Sequence, residues 1–412
     1  MPESVSFFKV MRKILQIQPT YVILNKLGKV IVWPRFANRL FNRKCLKLKE
    51  RVLKMKLKAI CLVVITCLLL TTFSTTQAKH KINIPDILGY KTLKCDFHMH
   101  TVFSDGTVWP TVRVDEAERE GLDAIAITDH IEYQPKKNDI PTNFSRPYEI
   151  ALRSAQEKNI LLIKAAEITR ETPPGHFNAL FLKEIDPLDT KEFVDAVKAA
   201  NNQGAFVFWN HPGWKPKFKG WFDIHTQLYE NLLMQGIEVV NGTTYYPDAH
   251  KWALEKNLTM MGNSDIHQPM VGNEMTSEIH RPMTLVFAKE KSIKALREGL
   301  IAGRTAVWFG NQLIGKPNYL HAIFKNAVQV DKPYLRKGDT IWFEITNNSD
   351  IDIEVLNLGQ EGQEITLPAN AVTIVKTKVD SKAEQAELRY KVTNFLIAPD
   401  KGLPVNLNIS LE

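Results

Sequence analysis

From about Leu93 to Trp308 the chain alternates short apolar runs with stretches of helical character. The runs are Leu93–Phe97, Ala124–Thr128, Leu161–Ala166, Ala205–Trp209, Ile237–Val240, Thr259–Gly262 and Met283–Phe287. Between them, Val112–Glu120, Tyr148–Lys158, Lys191–Asn201 and Leu228–Met234 are helix-like. Strands alternating with helices predict parallel βα units and an α/β fold. Seven such runs suit a closed or distorted barrel better than an open sheet.

After roughly Asn318 the pattern changes. Ile341–Thr346, Ile353–Leu356, Ala371–Val375, Leu388–Thr393 and Val405–Ile409 read as strands separated by Asn-, Ser- and Gly-rich turns. They predict a small all-β sandwich over residues 317–412. It is either a structural appendage packed against the barrel or a recognition module. The preceding α/β domain is assigned residues 79–316.

The formal charge of +8 comes from one end of the chain. Residues 1–58 carry fifteen Lys/Arg against Glu3 and Glu50, residues 59–78 carry no charge, and residues 79–412 are net −5. The part that folds therefore lacks a basic nucleic-acid footprint. Met55-Lys-Leu-Lys58, the apolar run Ala59–Leu70 and Thr76-Gln-Ala78 follow the layout of a secretory signal peptide over 55–78. The run is short for a membrane span; membrane attachment would require this segment to stay uncleaved. The expected location is periplasmic or extracellular. Residues 1–54 are expected to be an over-extended reading frame before a true start at Met55, or else a long basic leader on the cytoplasmic side. Cys95 alone lies after residue 78, so no internal disulfide is expected there, and its apolar context favours a buried small side chain.

The chemistry gathers at the ends of the apolar runs. His98 and His100 follow the first run and Asp105 lies in the turn after it. His130 follows the second, Glu167 ends the third, His176 opens a return strand, His211 ends the fourth, and Asp265 and His267 follow the sixth. Side chains at the C-terminal ends of barrel strands converge on one rim. In Asp96-Phe-His98-Met-His100 the polar residues recur at period two and share a strand face. Two imidazoles can then grip one ion, with Asp96 within reach as an orienting partner. Asp129 reads as an orienter or a helix cap. A buried Glu167 carboxylate is costly unless cations compensate it. A hairpin through Thr172-Pro-Pro-Gly175 would return His176 to Glu167. Arg170 is a candidate for a phosphate oxygen, or else a surface ion pair. Trp214 and Lys215 would flank the pocket mouth or simply pack in an exposed loop. His225, His250 and His321 read as ordinary residues, and His280 as a remote candidate.

The motifs Asp96-Phe-His-Met-His-Thr101, Ser104-Asp-Gly106, Thr128-Asp-His130, Ala166-Glu167, Gly175-His176, Asn210-His-Pro212 and Ser264-Asp-Ile-His267 resemble the successive motifs of the PHP (polymerase and histidinol phosphatase) superfamily. The resemblance covers about residues 93–310, and within the family it is greatest to secreted bacterial PHP-type phosphodiesterases. It implies a distorted (β/α)7 PHP barrel and two or three divalent metal ions, Zn, Mn or Fe. It implies His98, His100, Glu167 and Asp265 around one ion, and Glu167, His176 and His211 around a second. Asp105, His130 and His267 would hold a third; the family alternates between His and Asp at the position of Asp105.

The activity so implied is hydrolysis of phosphate diesters or monoesters, with metal-bound hydroxide attacking phosphorus and Glu167 and Asp265 at its centre. The expected partner is a small-molecule phosphoester; histidinol phosphate is a poor candidate for an exported chain. Two alternatives remain open. One is a C–N hydrolase of amidohydrolase type, which often uses a carboxylated Lys as metal bridge. The other is a noncatalytic metal-stabilised binding module.

Overall fold

The computed structural model describes residues 47–58, 81–270, 279–359 and 362–411. The chain divides into a unit over Met1–Thr76 and a second over Gln77–Glu412. Within the first, residues 47–58 are helical and exposed. Residues 1–46 of the expected leader and 59–78 of the expected signal peptide lie outside the described residues. Among the described residues no helix is long and apolar enough to cross a membrane.

The second unit begins with β1 (Lys91–Asp96), α1 (Pro110–Arg119), β2 (Ala124–Ile127), α2 (Arg146–Glu157), β3 (Leu161–Ile168), β4 (Phe177–Leu180), α3 (Phe193–Asn202) and β5 (Phe206–Trp209). It continues through α4 (Asp223–Glu230), β6 (Gly236–Asn241), β7 (Thr244–Tyr245), α5 (Pro247–Glu255) and β8 (Thr259–Asn263). Then come β9 (Met283–Ala288), α6 (Ile293–Ile301), β10 (Thr305–Phe309), β11 (Gln312–Gly315) and α7 (Pro317–Ala327). Helix starts follow local chemistry. Pro stands in the first turn of α1, α2, α5 and α7, where its missing N–H costs nothing. Ser292 caps α6 by accepting from the Ala295 N–H at 3.2 Å. In α3, Phe193, Ala196, Val197 and Ala200 form one buried stripe. The runs in β2, β4, β5 and β9 are buried along their whole length, as expected for strands covered on both faces.

Strands β1, β2 and β3 are parallel, as are β5, β6 and β8, while β4 folds back between β3 and β5. The seventh expected unit is corrected here. β9 runs antiparallel to β1, and β10 antiparallel to β9. Between Asn263 and Met283 the described residues form no helix to carry the chain back to the other end of the sheet. β9 therefore starts at the rim and runs away from it.

The expected closed ring is not formed by backbone ladders. Among the described residues none pairs β8 with β9. Thr284 Oγ1 instead accepts from the Gly262 N–H and donates to its carbonyl, both at 2.9 Å. Thr305 Oγ1 donates to the Met260 carbonyl at 2.9 Å. The seam also needs Gly262: a Cβ there would stand 2.2 Å from Cγ1 of Val307 on β10. Beyond the strand ends, Asp265 N–H donates to His98 O at 2.8 Å and His100 N–H to Ile266 O at 3.0 Å, joining the two rim segments. A buried ion network braces the same edge. Arg281 forks onto both oxygens of Glu120, at 2.7 and 3.0 Å, and reaches Asp96 at 2.9 Å. Asp96 in turn accepts from Ser264 Oγ at 2.5 Å.

The C-terminal part is an all-β sandwich of β12 (Val328–Val330), β13 (Leu335–Lys337), β14 (Thr340–Asn347), β15 (Ile353–Asn357), β16 (Glu364–Leu367), β17 (Ala371–Lys378), β18 (Gln385–Ala398) and β19 (Lys401–Ser410). The five predicted runs fall in β14, β15, β17, β18 and β19. One sheet is β12-β14-β13 with β17 on β14; the other joins β16, β15, β18 and β19. Ile341, Phe343 and Ile345 alternate inward from β14 and share a core with Val355, Tyr390 and Val392. The end of β18 pairs in parallel with β11, Leu313 opposite Phe395. The two parts thus share one sheet.

Candidate metal centre

All nine ligand-type residues expected from the sequence meet at one rim. His98 and His100 lie on the extended segment just beyond β1. Asp105 follows on a turn pressed against that segment; a Cβ on Gly106 would stand 2.5 Å from the His100 carbonyl carbon, so glycine permits the approach. Asp129 secures the turn, accepting from Thr101 N at 2.7 Å, Thr101 Oγ1 at 2.5 Å and Ser104 Oγ at 2.6 Å. His130 follows β2 and forms a bridge to Glu167 on β3. The hairpin from β3 to β4 brings His176 Nδ1 to 3.0 Å from Glu167 Oε1. His211 follows β5, and Asp265 and His267 follow β8.

His211 and Asp265 take positive φ angles of 31° and 51°. Such backbone costs roughly 1–3 kcal/mol per residue outside glycine and persists only where surroundings enforce it. Here the His211 N–H is held by Glu238 Oε2 at 2.8 Å, and the Asp265 N–H by the His98 carbonyl at 2.8 Å. Both side chains are thereby turned into the rim.

The donor atoms fall into three clusters. In the first, Nε2 of His98 and of His100 lie 3.1 and 3.0 Å from Asp265 Oδ1, and 3.5 and 3.4 Å from Glu167 Oε2. In the second, Glu167 Oε1 faces His176 Nδ1 at 3.0 Å and His211 Nε2 at 3.7 Å, with Asp265 Oδ2 3.9 Å from His211. In the third, Asp105 Oδ1 faces Nε2 of His267 at 3.2 Å and of His130 at 3.5 Å. The clusters overlap, since His100 Nδ1 also lies 3.8 Å from Asp105 and His130 Nδ1 lies 2.7 Å from Glu167 Oε2. The two oxygens of Glu167 look into different clusters.

These residues fit divalent cations. His98 Nε2 is fully buried and makes no hydrogen bond, and the equally buried Glu167 Oε2 faces only imidazole nitrogens. Orphaned buried lone pairs are costly, and mixed imidazole and carboxylate donors suit Zn, Mn or Fe. Electrostatics agree. Burial disfavours a charged His98 ring, yet Asp265, Glu238 and Glu167 hold its pKa well above the usual histidine value. His130 is likewise pushed up to about 10, against burial, by Glu167 and Asp105. Burial, reinforced by the His130 charge, takes His100 down to about 4. Burial raises Glu167, but the His130 and His98 charges outweigh it and hold the carboxyl well below its ordinary range. The carboxylates remain anionic, and cations must displace protons from the rings to bind.

Other candidates are placed elsewhere. Arg170 does not join the clusters; its guanidinium pairs with Glu132 and donates to the Thr190 carbonyl at 2.7 Å. Asp96 does not orient the His98 ring, because Arg281 and Ser264 engage its carboxylate. His225 stacks on Trp209 at 3.7 Å and bonds the Pro174 carbonyl at 2.8 Å, supporting the hairpin turn. His250 pairs with the Tyr245 hydroxyl at 2.8 Å. His280 lies on Trp308 at 3.8 Å and bonds the Arg281 and Gly310 carbonyls, away from the clusters. Exposed His321 lies on α7, and Cys95 is buried and unpaired.

The sequence reading missed Glu238. Its fully buried carboxylate takes His98 Nδ1 at 2.9 Å, the His211 N–H, and the side-chain amides of Asn241 and Asn263, each at 2.9 Å. A lone carboxylate inside the apolar run Ile237–Val240 was its only trace. Asn210 and Thr169 were also missed. Asn210 donates to Glu167 Oε1 at 2.9 Å, and Thr169 Oγ1 holds His130 Nδ1 at 2.7 Å. Trp214 stands at the mouth, its ring centroid 5.6 Å from His211 and 5.7 Å from His176.

The PHP domain profile matches residues 96–264, and an Ig-like domain profile matches residues 328–408. No curated protein matches the chain. A crystal structure from Bacteroides vulgatus, of a two-domain protein containing a predicted PHP-like metal-dependent phosphoesterase, is 44% identical, with a TM-score of 0.77. The match covers 81% of this chain and 100% of that one. An amidohydrolase from Chromobacterium violaceum is 18% identical over 42% of this chain and 88% of its own, with a TM-score of 0.31. A lesion-specific endonuclease from Pyrococcus furiosus is 13% identical over 60% of this chain and 64% of its own, with a TM-score of 0.36. The last two likenesses are too partial to bear on chemistry. On the strength of the first, the chain belongs to the PHP-like metal-dependent phosphoesterase family, with an Ig-like all-β domain at its C-terminal end.

Proposed function

We propose that the rim hydrolyses phosphate monoesters or diesters with two or three divalent ions, Zn, Mn or Fe. The observation that carries this reading is Glu167, whose two carboxylate oxygens face separate sets of imidazoles. A carboxylate so placed would serve as a ligand to two cations at once. His98, His100 and Asp265 would complete one site, His176 and His211 the second, and Asp105, His130 and His267 the third. Bound ions would lower the pKa of water and neutralise charge on phosphoryl oxygens.

The chain's own groups supply the rest. Glu238 fixes the tautomer of His98, leaving Nε2 as the ligand atom. His130 Nδ1 lies 2.7 Å from both Thr169 Oγ1 and Glu167 Oε2, and its Nε2 faces Asp105. Asp129 holds the Asp105 turn in reach. No side-chain nucleophile is needed; Ser104 Oγ is engaged by Asp129 and the Cys95 thiol is buried with its pKa raised. Glu167 rather than a lysine would be the bridging group, since Lys164 of the same strand points to the Lys183 carbonyl at 2.7 Å.

The test is metal-reconstituted protein assayed on aryl phosphate monoesters, aryl diesters and an amide panel. Phosphate or alcohol release that chelators abolish and metal restores is expected. Release that survives chelation, or turnover confined to amides, overturns the reading. We also infer export, from the basic start at Met55, the apolar run Ala59–Leu70 and the small-residue site at Ala78. Cell fractionation and N-terminal sequencing of the protein from its native host check this; a cytoplasmic protein with residues 55–78 intact would refute it.

A further inference from the structure

We propose that Trp214 is a stacking platform for a planar ring on the alcohol side of the ester, so that ring-bearing phosphate esters are the preferred substrates. This rests on the phosphoester reading of the metal centre and adds the substrate class.

The argument starts from an exposed tryptophan that is nevertheless held in place. Trp214 is 49% exposed, a large apolar ring that the fold does not bury. Its loop is fixed at several points. The Trp214 N–H donates to the His211 carbonyl at 3.1 Å. A Cβ on Gly213 would stand 3.1 Å from the Tyr246 ring, so the chain lies close against that side chain. Lys215 reaches across to Glu171 at 2.5 Å, tying the loop to the hairpin that carries His176. The ring is thus presented beside His176 and His211, the two imidazoles that face Glu167 Oε1, and it lines the same cleft as both.

An ester substituent running outward from a phosphoryl group at the clusters, past His176 and His211, would meet the exposed face of Trp214 at the mouth of that cleft. Stacking on an indole face is the interaction such a wall offers to a flat ring. Charge around the mouth favours an anionic ester. Lys215 is paired with Glu171, but Lys217 and Lys219 are exposed on the same loop and leave it positive, in a folded region that is net negative. Tyr133 is also exposed, near His130, but it does not line this cleft.

The test uses matched probes that differ in ring planarity and little in leaving-group basicity: benzyl phosphate and cyclohexylmethyl phosphate, with the corresponding non-hydrolysable phosphonates. Metal-loaded parent, Trp214→Ala and Trp214→Phe are compared. The expected result is a parental preference for benzyl phosphate that Trp214→Ala reduces roughly tenfold or more in kcat/KM, mostly through KM. The saturated ester should change by less than about threefold, and Trp214→Phe should keep most of the preference. Calorimetric binding of the two phosphonates should show the same ranking without turnover. Equal losses on both esters, or no loss in either, overturn the proposal. If no ester is hydrolysed, the phosphoesterase reading fails while the phosphonate titrations still decide the stacking platform. Benzylphosphonate binding indifferent to Trp214 then rejects it.

Discussion

Glu238 accepts a hydrogen bond from Nδ1 of His98 at 2.9 Å, and neither side chain touches solvent. That contact decides which face of the imidazole is a ligand. With Nδ1 protonated and held, Nε2 presents its lone pair to the cluster formed with Glu167 and Asp265. Glu238 also accepts from the His211 backbone and two asparagine amides, so its replacement disturbs two ligand-bearing segments at once.

Glu238→Gln should therefore bind metal about 10- to 100-fold more weakly, the usual cost of removing such an orienting partner. The new amide would point donors at donors that now share the carboxylate. Chelator competition with quantified metal content checks this. Parental affinity in the variant would mean that the contact is structural only.

Glu167→Gln and His211→Ala should each reduce turnover by orders of magnitude while the circular dichroism spectrum is retained. Glu167→Gln removes the group shared by two clusters, so it should also lower the metal count more than His211→Ala does. Metal analysis beside single-substrate kinetics checks both. Near-parental turnover under full metal loading in either variant would require the ligand sets to be redrawn.

The seam between β8 and β10 predicts a stability effect away from the chemistry. Gly262→Ala forces a methyl to 2.2 Å from Val307 Cγ1. Overpacking of this kind costs about 1–3 kcal/mol. Val307→Ala alone leaves a cavity, but the double substitution should recover much of the loss, because the two positions share one space. Urea unfolding of the four proteins gives the cycle; strict additivity would show that the methyl is accommodated elsewhere.

Asp123 sets a low-pH limb. Burial would raise its pKa, but the Lys94 ammonium and backbone N–H, with Lys291, bring it below the ordinary aspartate value. A folded pKa below the unfolded one stabilises above the unfolded value and is lost as pH falls through the folded value. Asp123→Asn should cost about 1.5–3 kcal/mol at pH 7. The difference from the parent should shrink as pH drops below the usual carboxylate range. Denaturant titrations of metal-free protein at several pH values check the sign; a gap widening toward acid contradicts it.

Much of the site was legible because its members end apolar runs, where a polar ligand breaks a strong pattern. His98, His130, His211 and Asp265 all stand at such breaks. Glu238 was not legible, because it sits within a run and only the fold shows what surrounds it. Strand direction was equally hidden. Met283–Phe287 has the composition of any buried strand, and its reversal follows from a connection that stays at the rim. Ser292 marks the start of α6, and Pro247 and Pro317 those of α5 and α7. The short strands β12, β13 and β16 carry too few residues for an alternation to register.

The parallel pairing of β11 with β18 has a practical consequence for anyone trimming this protein. A shortened version ending near Ala327 would leave Leu313 and Ile314 with unclaimed amides and carbonyls along an outer border. Bare borders of that kind recruit strands from neighbouring molecules. The isolated PHP half should thus clump on expression unless Gln312–Gly315 is given a charged disguise; cutting that strand away would only bare β10 in its place.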